Sequence, residues 1–230
     1  MFFWDPTMII LIPAVLLTAY AQMKINSTYS KYSQIPSKRG MTGADVARYI
    51  LNKNGLYDIP VELVGGHLSD HYDPRTRVVR LSPDVYHGTS LASLGVAAHE
   101  VGHAVQHDTG YMPLYIRNTI IPVTQIGSYA AIPLFFIGIF MSSESLINLG
   151  ILLFSAVVFF QIITLPVEFN ASRRAIATLG GEGILDASEL AGTKKVLSAA
   201  AMTYLAAALM AVMQLLRLIV VSGMLGGSDE

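Results

Sequence analysis

His99-Glu100-Val101-Gly102-His103 is the stretch on which the fold turns. It fits H-E-x-x-H, a pattern that carries chemistry on a helix. There, positions i and i+4 share a face, so His99 and His103 can aim both imidazoles at one ion. Glu100 then stands beside that ion, where a general base for a water molecule is needed. The pattern predicts a zinc site with His99 and His103 as metal ligands and Glu100 as the catalytic base. Ser90 is a good N-cap, and Gly110 and Pro113 are stop signals, so the predicted helix covers residues 91–107.

The surroundings of this helix are unusual. The chain has 230 residues, of which 53% are hydrophobic and 13% charged, about half the charged share of a soluble domain. The deficit is concentrated in residues 8–23, 118–143, 145–167 and 196–216, which carry no charge at all. Each run approaches or exceeds the roughly 20 residues that cross a bilayer. Phe2, Phe3 and Trp4 extend the first, shortest run toward the interface. The fold class expected is a mainly α membrane protein with about four transmembrane helices and a small cytoplasmic α+β domain carrying the motif helix. The first run does not read as a signal peptide, because Asp5 precedes it and the basic residues follow it. A net charge of −1 argues against a nucleic-acid partner. Without cysteine, any metal must be held by His, Asp or Glu.

Basic residues orient membrane proteins. Of the fifteen Lys and Arg residues, all but Arg217 lie between spans one and two or between spans three and four. The N-terminal tail, the Ser142-Ser143-Glu144-Ser145 turn and the Ser228-Asp229-Glu230 tail have none. This places both termini outside and both long loops, with the motif, in the cytoplasm. Arg217 falls late in span four, where it snorkels to the interface or pairs with an acid. The organisation expected is therefore a first transmembrane helix at 1–23, a cytoplasmic domain at 24–117, two transmembrane helices at 118–167, a cytoplasmic segment at 168–195 and a fourth transmembrane helix at 196–225.

Within the first long loop, Thr42 and Asp45 form a capping pair ahead of an apolar stripe, Val46, Ala47, Ile50 and Leu51, and Gly55 stops that helix. Residues 60–64 and 77–81 read as two strands joined by a connection over 65–76, with Gly65-Gly66 and Asp73-Pro74 as turn signals. The strand around Val78 is a candidate edge for adding an extended peptide as one more strand.

A catalytic zinc commonly keeps three protein ligands. His107 is excluded, because eight helical residues separate it from His99 by about 12 Å along the axis. The metzincin pattern fails as well, since Gln106 and Thr109 stand where it requires Gly and His. Glu144 is on the wrong side of the membrane. Glu168, just after Pro166 at the cytoplasmic end of span three, is the leading third ligand. It opens Glu168-Phe169-Asn170-Ala171-Ser172-Arg173-Arg174-Ala175, which reads as a helix. Glu182, Asp186 and Glu189 stay open, the last two also reading as helix N-terminal acids.

These two segments, together with Leu68-Ser69-Asp70-His71-Tyr72-Asp73-Pro74-Arg75 and Val79-Arg80-Leu81-Ser82, resemble the YugP-like bacterial membrane zinc metallopeptidases across essentially the whole chain. The resemblance implies a gluzincin-like domain in a bacterial inner (plasma) membrane, with zinc on His99, His103 and Glu168 and the base at Glu100. More distantly, the chain is similar to HtpX-type and prenyl-protein membrane proteases. Their E-x-x-A-D segment carries an Asp that supports the site, and here Ser172 replaces it. Asn170 and Ser172 are the candidates for orienting the histidines instead.

The function expected is a zinc-dependent endopeptidase, with one Zn²⁺ per chain, a protein or peptide substrate drawn in part from membrane proteins, and the lipid bilayer as a further partner. His71, Arg173 and Tyr115 are the candidates for contacting the substrate or stabilising the oxyanion. His67 and His87 read as ordinary loop histidines. The alternatives are a non-catalytic zinc-binding scaffold or regulatory subunit, which has no need of Glu100, and a transporter, which would carry ionisable groups inside its spans.

Overall fold

The structure is a computed structural model describing residues 6–226. Phe2, Phe3, Trp4 and the Ser228-Asp229-Glu230 tail lie outside the described residues. A 3-10 turn at Pro6–Leu11 leads into α1 (Ile12–Tyr32), followed by α2 (Gly43–Lys53), β1 (Val61–Leu63), β2 (His71–Asp73), β3 (Val78–Leu81), α3 (Pro83–Tyr86), α4 (Leu91–Asp108), α5 (Met112–Phe140), α6 (Glu144–Gly181) and α7 (Ala187–Gly226). The chain divides into two units. One comprises Met1–Ala21, Tyr115–Leu165 and Thr203–Glu230, the other Gln22–Leu114 and Pro166–Met202.

Four helical stretches are long and apolar enough to cross a membrane: Pro6–Tyr32, Met112–Phe140, Glu144–Gly181 and Ala187–Gly223. All four outrun the uncharged segments. Helix α1 continues through Lys24 and Lys31, and α6 passes through Pro166 and Glu168 without a break. The helix expected to open at Glu168 is therefore the last third of α6. Proline removes one backbone hydrogen bond but leaves a long apolar helix otherwise intact.

In the first unit, glycines set the closeness of α5 and α6. A Cβ on Gly127 would stand 2.7 Å from the Leu153 carbonyl oxygen, and one on Gly150 would stand 2.8 Å from that of Ala131. Small residues permit this approach of backbones, which is how apolar helices gain packing energy in lipid. Ala131, Phe135, Phe154, Val158, Ala211 and Leu218 form the unit's buried cluster. Arg217 of α7 donates its Nε–H to Thr7 Oγ1 at 3.1 Å.

In the second unit, Thr42 and Asp45 cap α2 reciprocally, side chain to backbone in both directions. The stripe Val46, Ala47, Ile50 and Leu51 is buried in one core cluster with Leu94, Ala98 and Val101 of α4, the helix on which α2 packs. The sheet departs from the two strands expected. A third strand, β2, lies inside the 65–76 connection, and the order is β1-β3-β2. β1 runs parallel to β3 and β2 antiparallel to it. Strand β3 starts at Val78 because Arg77 takes a left-handed conformation, φ 55°, which closes the turn and cannot continue a strand. The strand around Val78 is central, flanked on both sides, and so is not an edge for a peptide. The outer strands are β1 and β2.

Candidate metal centre

Helix α4 begins at Ser90, whose side chain accepts from the Ser93 N–H at 3.1 Å. Its middle turns are almost wholly buried, and they carry the motif. Gly102 allows the motif helix to meet α6. A Cβ at 102 would lie 2.9 Å from the Ala171 carbonyl oxygen. That contact brings the two histidines of α4 against the carboxylate of α6.

Glu168 is 3% exposed. Its Oε2 lies 3.1 Å from His99 Nε2 and 3.7 Å from His103 Nε2. The donor atoms of the three residues fall within 4.8 Å of one another. Two imidazole nitrogens and one carboxylate oxygen are the donors zinc accepts, and three protein ligands leave a coordination position open. The residues fit a zinc ion. Burial alone would disfavour a charged His103, but its bond to Glu168 and the charges of Glu100 and Glu168 outweigh this and hold its pKa above the ordinary 6.5.

The other acids left open as third ligands are engaged elsewhere. Glu182 accepts from Tyr49 at 2.9 Å and pairs with Lys53 at 3.1 Å. Asp186 caps α7, accepting from the Ser188 and Glu189 N–H groups, and pairs with Lys38. Glu189 accepts the Lys38 N–H at 2.7 Å.

Glu100, half-buried, faces the sheet. Its Oε2 accepts the Tyr72 N–H at 3.0 Å. Tyr72 opposes Val79 in the register, and Val79 turns its own N–H to Pro60 on the other side. Tyr72 therefore sits at a non-hydrogen-bonded pair and spends its backbone outward, on α4. The Tyr72 hydroxyl meets His107 Nδ1 at 2.8 Å, which accounts for His107 without a metal.

Ser172 Oγ lies 3.1 Å from His99 Nδ1. The Asn170 Oδ1 hydrogen bonds go to Gln106 and Arg174, not to a histidine. Gln106 Oε1 in turn lies 3.0 Å from His103 Nδ1. Sequence reasoning passed over both Gln106 and Tyr72. The i+3 spacing of Gln106 from His103, on the buried face of an apolar helix, was the signal available.

The remaining candidates lie outside this cluster. His71 is exposed on β2, with Nδ1 2.8 Å from the Ser69 carbonyl. Arg173 is exposed and turns its Nε to the Phe169 carbonyl at 3.4 Å. Tyr115 lies on α5, in the other unit, 69% exposed. His67 pairs with Asp84 at 2.9 Å, and the His87 ring packs edge-on against Tyr86 at 4.9 Å.

The family model described as "putative neutral zinc metallopeptidase" matches residues 7–223. The chain belongs to this family. A "putative membrane protease YugP" of Bacillus subtilis is 52% identical over 219 residues, covering 95% of this chain and 96% of the relative. No solved structure matches the chain. For this member of the zinc metallopeptidase family, the His99, His103 and Glu168 cluster is the group of described His, Asp and Glu residues close enough to hold a metal.

Proposed function

We propose that this chain is a membrane-embedded zinc endopeptidase in which His99, His103 and Glu168 hold the ion and Glu100 is the general base. The observation that carries the reading is the placement of Glu100. Glu100 follows His99 directly on α4, its charge acts on His103, and its carboxylate is held by the Tyr72 N–H of β2. Bound zinc would supply Lewis acidity, lowering the pKa of a water and polarising the scissile carbonyl. Glu100 accepts a proton from the attacking water on its carboxylate and delivers it to the leaving amine nitrogen. The Tyr72 N–H orients that carboxylate.

Of the oxyanion candidates, His71 lies on β2 itself. Its Nδ1 faces a carbonyl, which only accepts, so Nδ1 carries the proton. Its Nε2 can donate to an oxyanion only from the imidazolium form. A non-catalytic scaffold would leave the buttressed Glu100 without a task.

The charge asymmetry of the loops supports both termini outside and the gluzincin-like catalytic unit in the cytoplasm of a bacterial cell, with peptide segments near the inner membrane leaflet as substrates. The test is direct. Purified protein should carry about one zinc per chain and cleave casein. Glu100→Gln should retain the zinc and lose about 10²–10⁴-fold of the activity. Wild-type cleavage by that variant would overturn the mechanism.

A further inference from the structure

We propose that Gln106 is a positioning residue of the metal centre, fixing the His103 imidazole in the tautomer that presents an unprotonated Nε2 to zinc, with Asn170 and Arg174 aligned behind it. The inference rests on the zinc reading above and names how the chain prepares one ligand.

Gln106 is 0% exposed, so each of its polar atoms must find a partner inside the protein. All of them do. Its Nε2 donates to the Val167 carbonyl at 2.8 Å and to Asn170 Oδ1 at 3.0 Å, and its Oε1 accepts from His103 Nδ1 at 3.0 Å. Asn170 Oδ1 also accepts from Arg174 Nε at 2.8 Å.

An amide can be turned over, exchanging oxygen for nitrogen, so its direction must be argued. Here both ends argue the same direction. A guanidinium only donates, so the Asn170 atom facing Arg174 is oxygen. That oxygen needs a donor from Gln106. The Val167 carbonyl only accepts and needs a donor from the same atom. Two independent groups therefore place nitrogen at Nε2 and oxygen at Oε1. An oxygen facing His103 can only accept, so His103 Nδ1 carries the hydrogen. In the neutral ring the lone pair then belongs to Nε2, the atom turned toward Glu168.

His99 lacks this constraint. Its Nδ1 partner is the Ser172 hydroxyl, which can donate or accept and so imposes no tautomer. The support of the two histidines is unequal, and the stricter half runs through Gln106.

The test uses the full-length protein in detergent, with Zn²⁺ measured against a competing chelator and Co²⁺ as a spectroscopic probe. Outer partners of metal-binding histidines are worth about 10–100-fold in metal affinity. Gln106→Leu removes the acceptor, and should weaken zinc by that factor and shift the Co²⁺ absorption bands. Gln106→Glu keeps an acceptor facing Nδ1 while losing the donors. It should bind zinc within a few-fold of wild type with unshifted bands, although both variants lose thermal stability. A packing role alone predicts that the two variants lose affinity together or that neither does, and either result overturns the proposal. Should Gln106→Leu not fold, Asn170→Ala decides. It unpins the amide and should weaken zinc several-fold, and unchanged affinity overturns the proposal. A wild-type chain that takes up no zinc would overturn the site reading itself, and this shows before any substitution is made.

Discussion

Gly102 and Ala171 touch where the motif helix meets α6, with room for a hydrogen and none for a methyl group. The contact sets the separation between His99 and His103 on one side and Glu168 on the other. Gly102→Ala would place a carbon 2.9 Å from the Ala171 carbonyl oxygen, and backbone, unlike a flexible side chain, cannot step aside. The expected cost is about 1–3 kcal/mol of stability, together with weaker zinc binding as the helices part. Gly181→Ala, where an added Cβ meets nothing within 4 Å, is the control. Denaturation in detergent and chelator competition measure both effects.

Glu168→Ala should cost more zinc affinity than any outer partner, that is, more than about 100-fold. Glu182→Ala should leave zinc binding unchanged, since that carboxylate is spent on Tyr49 and Lys53. Equal affinity in wild type and Glu168→Ala would return the third ligand to the list of unknowns.

Tyr72→Pro and Tyr72→Ala lose the same ring, but only proline also removes the N–H that Glu100 accepts. Proline is tolerated on an edge strand where its nitrogen faces away from the ladder. A hydrogen bond to a charged group is worth about 1.5–3 kcal/mol. If it orients the base, the proline variant should fall at least tenfold below the alanine variant in kcat at equal zinc content. Equal kcat values would remove Tyr72 from the mechanism.

The Asp73 carboxylate ties the β2–β3 turn. The Thr76 hydroxyl and then the Arg75 N–H pull its pKa down, burial opposes them, and Arg80 adds to the pull, leaving it at about 2 against an ordinary 3.8. A depressed carboxylate pKa gives stability that is present above 3.8 and lost as pH falls through about 2. Hydrogen-exchange protection at the hairpin, taken relative to the free-peptide rate at each pH, should therefore hold steady down to about pH 4 and fall below it. In Asp73→Asn the protection should be low at neutral pH and lack this step. A wild-type step centred near pH 6 would assign the turn's stability to a different group.

The parts of this molecule that were legible in its sequence are those governed by local rules. An i, i+4 pair of histidines needs only a helix to share a face, and Ser90 and the apolar run supply one. Glu168 could be reached by asking which acid follows an uncharged run at the end that loop charge assigns to the motif. Strand β2 was not legible, because His71-Tyr72-Asp73 is short, polar and set among turn residues, without the alternation that marks a strand. Nor could pattern reveal that β3 is central, since the parallel pairing of β1 with β3 depends on tertiary packing. Pro166 misled as a boundary, because the rule that proline ends helices weakens in long apolar ones. Gln106 stood in view as the residue that spoils a metzincin match, and its significance depends on Asn170, 64 positions away.

The directional chain from Arg174 through Asn170 and Gln106 to His103 has a consequence for inheritance. Each amide in it can face only one way, so a substitution at one position leaves its neighbour's hydrogen or lone pair stranded in the interior. Drift at 106, 170 and 174 is therefore epistatic. A change at one becomes tolerable when another has changed first, and alignments of relatives should show these positions varying as a set.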